Sequence, residues 1–284
     1  MNKAFFLILF MTSSCVSVFA TTPKIIVKPE QILQGEPVIV IVENTNKISD
    51  IKNVLFDGKT IPVFLYQSVP TAFIGVDLNA RKGEHELKVS LSNGETLTQS
   101  ITVKEREKIE APLGIPEKLG GNTEESQKKL VGSLATENDI LNSLVTSKKK
   151  LWTQKFIYPV LHPIVVDSYG YTRQTGQFSI AHKGADFKAK EGTKVYAMNR
   201  GIVRMVKKSK VYGNMIVIDH GLGIMTFYMH LSKSQVEEGQ MIEQGKIIGV
   251  SGQTGYALGP HLHLTVKLNK ISIDPVKFMD FFTP

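Results

Sequence analysis

A chain of 284 residues, 42% hydrophobic and 21% charged, is long enough for two domains with buried cores, and this composition excludes collagen, coiled coil and wholesale disorder. Its net charge of +8 favours lingering near cell-wall polymers or lipid head groups, although a charge of this size also simply aids solubility. No nucleic-acid motif accompanies it, so no nucleic-acid partner is expected.

In chain order, Met1-Asn2-Lys3 leads into the apolar run Ala4–Met11, and Val18-Phe19-Ala20 supplies small residues near a cleavage point. Residues 1–20 read as a secretory signal peptide rather than a membrane anchor, because the run is too short to span a bilayer. Cys15 is the only cysteine, and Thr12 stands where lipidation would require an aliphatic residue. Cleavage after Ala20 leaves no cysteine, so disulfides and thiolate ligands are excluded and any metal site must use His, Asp or Glu. No later run approaches spanning length. The expected location is therefore exported: periplasmic, extracellular or cell-wall associated, with no stable membrane span after cleavage.

Residues 21–104 read as a β-sandwich of immunoglobulin-like type. Pro37–Val42 is β-branched, Leu87, Val89 and Leu91 alternate with polar residues, and Asn93-Gly94 suits a hairpin joining Leu87–Leu91 to Glu95–Val103. Residues 105–155 form a linker with helices. Asn122 and Glu125 are read as a capping box, Leu130, Leu134, Leu141 and Leu144 as one apolar face, and Lys148-Lys149-Lys150 as the helix C-terminus. Residues 156–284 return to β, with strands expected at Lys194–Ala197, Gly201–Lys207, Met215–Asp219, Met225–His230 and Leu262–Leu268.

Five of the seven histidines fall between residues 182 and 263. In His182-Lys183-Gly184-Ala185-Asp186 an imidazole and a carboxylate flank a glycine, read here as permitting a tight bend. In His261-Leu262-His263 the two imidazoles share one face of a strand. The two segments together supply three N/O ligands and one further imidazole, the complement of a catalytic zinc with an open position.

A third element, Tyr228-Met229-His230-Leu231, completes a pattern. With Gly192–Ala197, Gly201-Ile202-Val203, Tyr212–Gly221, Thr226–Ser232, Val236–Gln240, Gly252–Gly255 and Gly259–Leu264, residues 165–278 resemble the M23, or LytM and lysostaphin-type, peptidases. The resemblance implies a C-terminal antiparallel β peptidase domain of LytM type in a mainly β chain. It implies one Zn2+ held by His182, Asp186 and His263, with His230 and His261 flanking the metal water as general base or transition-state stabiliser. The implied activity is a zinc endopeptidase cutting crosslinks or stems of bacterial peptidoglycan. The alternatives are a non-catalytic LytM-like module that activates another wall hydrolase, and a secreted toxin against other cells.

The remaining candidates take quieter roles. His220 is expected to be structural, and His85 and His162 non-catalytic. Trp152 is read as core and Asn214 as a turn residue. Tyr228 shares strand parity with His230, so it either lines the cleft or packs. Arg173 either binds a substrate carboxylate or forms a structural salt bridge. The N-terminal domain is expected to be an adaptor or a cover in contact with the catalytic groove.

Overall fold

The computed structural model describes residues 22–45 and 47–282; the expected signal peptide over residues 1–20, with Cys15, lies outside them. Among the described residues no helix is long and apolar enough to cross a membrane. The chain is mainly β.

The N-terminal strands form two sheets. One runs in the order Lys24–Lys28, Pro37–Glu43, Val69–Gly75, Val63–Tyr66. The other runs Gln31–Leu33, Thr96–Lys104, Gly83–Leu91, Ile51–Phe56, Lys59–Thr60. The expected hairpin is present, with Leu87 opposite Gln99 and Val89 opposite Leu97. Inward residues of both sheets, among them Val38, Val40, Ile74, Leu87, Val89 and Ile101, share one buried cluster. Alternation along each strand produces this arrangement, since every second side chain faces the partner sheet.

Helix α1 (Glu124–Ser143) follows. Its start differs from expectation. The Asn122 carboxamide accepts the Ile115 N–H at 2.8 Å, so the cap passes to Thr123, whose hydroxyl accepts the Ser126 N–H at 3.3 Å. The three lysines do not end the helix. They lie beyond it, where the chain runs beside the end of the Asn214–Gly221 strand and the turn after it, through Leu222 N–H to Ser147 O and Leu151 N–H to His220 O.

The large C-terminal sheet has at its centre β1 (Ala185–Lys188), β2 (Gly201–Lys208), β3 (Asn214–Gly221), β4 (Ile224–Ser234) and β5 (His261–Leu268), in the spatial order β1-β5-β4-β3-β2, all antiparallel. Its two faces divide by parity. Leu262, Leu264 and Val266 of β5 join Ile216, Ile218 and Tyr228 in the main core. Met215, Val217, Met225, Phe227 and Met229 form an apolar patch on the other face, and Leu141 of α1 packs on it.

Candidate metal centre and groove

β1 and β5 pair so that Asp186 lies opposite His263. The turn ahead of β1 brings His182 to the same point. His182, Asp186 and His263 are all buried, and each offers one ligand atom to a common position. His182 Nε2 lies 3.1 Å from Asp186 Oδ1 and 3.0 Å from His263 Nδ1, and His263 Nδ1 lies 2.7 Å from Asp186 Oδ1.

Gly184 makes this approach possible for a reason other than a bend. Its φ is not in the left-handed region; a Cβ there would stand 2.6 Å from the Leu264 carbonyl oxygen and 2.6 Å from His263 Cε1. The glycine is needed for space beside the ligand ring.

The outer nitrogens of all four clustered imidazoles are committed. His182 Nδ1 meets the Ser168 carbonyl at 2.9 Å. His263 Nε2 meets Thr265 Oγ1 at 3.0 Å, and that hydroxyl donates to the Lys183 carbonyl, so it accepts from the ring. His230 Nδ1 meets Thr254 O at 2.8 Å and His261 Nδ1 meets Gly259 O at 2.9 Å. In each case the outer N–H donates, which leaves the inner nitrogen as an acceptor.

This arrangement tests the donor set for a metal. Three acceptor atoms facing one another at about 3 Å repel unless positive charge lies between them. A proton serves poorly, because burial pushes His263 down to about 4. A divalent cation satisfies all three at once, and two imidazoles with one carboxylate form a familiar zinc donor set. Arg173 supports the carboxylate from outside, with Nη2 2.7 Å from Asp186 Oδ2 and a second contact to Asp167. It is thus an ion-pair residue of the site's outer wall.

His230 and His261 stand beside these three, their rings 4.8 Å apart and His230 6.0 Å from His263. His230 reaches this face through a β-bulge. Asn214 pairs with Leu231 and Ile216 with Tyr228, so β4 carries one extra residue there, and His230 adopts a φ of 59°. The bulge breaks the parity that linked His230 to Tyr228. Tyr228 instead lies in the core, its hydroxyl accepting the Met198 N–H at 3.0 Å.

The other residues separate from this centre. His220 is fully buried against the Arg200 carbonyl and Phe156. His85 is bound to Asp57 at 2.5 Å in the N-terminal sheets, and His162 is exposed. Trp152 is buried among Phe64, Phe73 and Phe156. Asn214 opens β3 rather than a turn, its side chain donating to the Leu231 and Ser232 carbonyls. The sequence reading missed Thr265, although it shares the parity of His263 on β5. It also missed the Ser168 and Thr254 carbonyls, which no sequence signal marks.

The centre opens into a cleft of roughly 710 Å³ whose lining includes His182, His230 and His263 on one side and Leu134, Asn138 and Asn142 of α1 on the other. Residues 180–275 match Peptidase family M23.

The C-terminal domain belongs to peptidase family M23.

The chain is 48% identical over 82 residues to the peptidoglycan DD-endopeptidase ShyA of Vibrio cholerae, which is 29% of this chain and 19% of that protein. Over 95 residues it is 38% identical to the DD-carboxypeptidase/endopeptidase Mpg of Neisseria meningitidis, 34% of this chain and 22% of that one. The match thus spans about a fifth of these relatives' length. A crystal structure of a candidate M23 peptidase from Pseudomonas aeruginosa superposes with a TM-score of 0.63 at 23% identity, over 87% of this chain and 94% of that one. That likeness extends the shared fold well beyond the M23 domain.

Proposed function

We propose that this protein is an exported zinc metallopeptidase that hydrolyses peptide bonds in bacterial peptidoglycan. The observation that carries this reading is a triangle of three buried acceptors with two further imidazole acceptors beside it. His182, Asp186 and His263 would hold the metal. When bound, zinc supplies a Lewis acid and a water with a pKa near 7. His230 and His261 keep their inner nitrogens as acceptors because Thr254 and Gly259 hold the outer protons. Each is thereby oriented to take a proton and return it to a leaving amine. The relative named as a peptidoglycan DD-endopeptidase supplies the substrate class. The complete donor set counts against a non-catalytic binding module.

We further propose three units: a β-sandwich over 21–104, a linker over 105–155 and the peptidase domain over 156–284. The cover is the linker helix rather than the sandwich, since α1 lies along the cleft while the sandwich contributes Asp77 to its lining. The conformation described here is then a closed one, and substrate entry requires α1 to move.

The test is mass spectrometry of muropeptides after sacculus digestion by the mature protein and by His263→Ala, with metal content measured on both. The expectation is about one zinc per chain, with His263→Ala losing more than the roughly 10–100-fold that follows loss of a supporting partner alone. An identical product pattern from both proteins would end the catalytic reading.

A further inference from the structure

The cleft beneath α1 contains two anion-binding features that the metal-facing residues do not use. The first is built from backbone. The N–H groups of Lys210, Val211 and Tyr212 converge on the Glu137 carboxylate at 2.7, 3.2 and 3.3 Å, with Val211 reaching both oxygens. Successive amides turned to one point form a concavity suited to an anion. The Tyr212 carbonyl accepts the His230 N–H at 2.9 Å, so this cradle adjoins the metal centre.

The second is Lys267. It lies on the same face of β5 as His261, His263 and Thr265, only 8% exposed. Its Nζ is 2.7 Å from Asn142 Oδ1 and 5.1 Å from the Phe227 ring centroid. Lys183 and Lys270 line the same cleft. Among the described residues none of these three lysines forms an ion pair with a carboxylate. Burial, together with the Lys183 and Lys270 charges, pushes Lys267 down to about 8. An ammonium buried without a counter-charge is costly. A helix serving only as a structural tether would serve better by presenting a carboxylate here than a neutral amide.

Both positions are filled by α1, through Glu137 and Asn142, five residues apart and so about 7.5 Å along the helix axis. The helix therefore offers the cleft an acid and an amide at the spacing of groups on a short extended peptide.

We propose that this cleft is a subsite for a carboxylate-bearing peptide, with one carboxylate in the Lys210–Tyr212 amide cradle and another on Lys267, and that α1 closes it by placing Glu137 and Asn142 there. The proposal rests on the peptidase reading for the nature of the peptide, a wall stem with free carboxylates, but its test is independent of cleavage.

The full chain, with zinc added, is titrated calorimetrically with a synthetic stem tetrapeptide and with the same peptide fully amidated. The opened variant Glu137→Gln/Asn142→Ala is expected to bind the acid form at least about tenfold tighter than the parent does, and at least about tenfold tighter than the amide, the scale of one charged hydrogen bond. Adding Lys267→Met is expected to lower the acid preference at least about threefold, leaving the part that the amide cradle supplies. Equal affinity for acid and amide in the opened variant, or an acid preference unchanged by Lys267→Met, overturns the proposal. Should the variants fail to fold, hydrogen exchange on the parent decides. The acid peptide should speed exchange in α1 and slow it at 210–212, and unchanged exchange in both overturns the proposal. Sacculi left undigested while these binding results hold would count against the peptidase reading alone.

Discussion

Each imidazole of the candidate metal centre is fixed by what its far nitrogen touches, and this makes the supporting residues testable. Thr265 accepts from His263 Nε2 while donating to the Lys183 carbonyl. Thr265→Val keeps the shape and removes the acceptor, freeing the ring to place its proton on the inner nitrogen. Zinc affinity, measured by competition with a chromogenic chelator, should fall about 10–100-fold; an unchanged affinity would show that the hydroxyl does not set the tautomer. Gly184→Ala is expected to be more severe. The Leu264 carbonyl oxygen that a new Cβ would meet at 2.6 Å belongs to the β5 backbone and cannot swing aside, so bound zinc should be lost even if the variant retains its β-sheet circular dichroism. His220 makes a prediction about pH. Burial pushes it down to about 4 from an ordinary 6.5, against the raising effect of the Arg200 carbonyl and Asp219. Above pH 6.5 the ring is neutral in both folded and unfolded chains and contributes no pH dependence. As pH falls from 6.5 towards 4 the unfolded chain takes up a proton that the folded one refuses, so stability drops by up to about 3 kcal/mol. Denaturant titrations of the parent and His220→Gln at pH 7 and pH 4.5 should show the smaller acid loss in the variant. Parallel losses would refute the assignment.

At the scale of elements, what was legible in the sequence was whatever depends on strand period alone. His261 and His263 two apart in β5 face one way with Leu262 behind them, and the same period carries on to Thr265 and Lys267. Asp186 reaches His263 through strand register, which local pattern does not encode, so residue types could suggest that meeting but only family resemblance named the three ligands. The bulge in β4 defeated the period argument for Tyr228, because one extra residue reverses every inference about facing beyond it. The N-cap moved by one residue because Asn122 had a stronger local partner in the Ile115 N–H. The apolar face of α1 was readable, but not its destination: leucines at helical spacing do not say which surface they cover. That surface is the Met- and Phe-rich side of the sheet, where Leu141 is buried. Leu141→Ala should weaken the docking of α1 by about 2–5 kcal/mol, the cost of truncating a buried leucine. Faster hydrogen exchange across 124–143 and faster sacculus digestion should accompany each other. Faster exchange without faster digestion would mean that α1 does not limit access to the cleft.

Across the whole molecule, the N-terminal sheets and the M23 domain are joined through aromatic rings on the side of Pro37–Glu43 and Val69–Gly75 that faces away from the sandwich core. Ile39, Phe64 and Phe73 belong to the same buried cluster as Trp152, Phe156, Phe278 and Phe282. Phe73 alone contacts the Trp152, Phe278, Phe281 and Phe282 rings, at centroid distances of 5.8 to 6.2 Å. Arg106 adds polar ties, reaching Asp274 at 3.2 Å and the Gln34 carbonyl at 2.8 Å. A junction this apolar resembles a domain core more than a transient interface, so the two regions should unfold together rather than in sequence. Trp152 is the only tryptophan in the chain and lies within the junction, which makes its emission a direct reporter of that contact. In denaturant, the Trp152 transition and the far-ultraviolet circular dichroism transition should coincide in the parent protein. Phe73→Ala removes a buried ring at the junction, and its cost of about 3–5 kcal/mol should appear first in Trp152 emission. The variant should therefore separate the two transitions, with emission changing at lower denaturant than the dichroism of the sheets. Were the parent transitions already separate, the sandwich and the peptidase domain would be independent units, and the aromatic cluster would be a contact of convenience rather than the joint that holds α1 and the cleft in fixed relation to the N-terminal sheets.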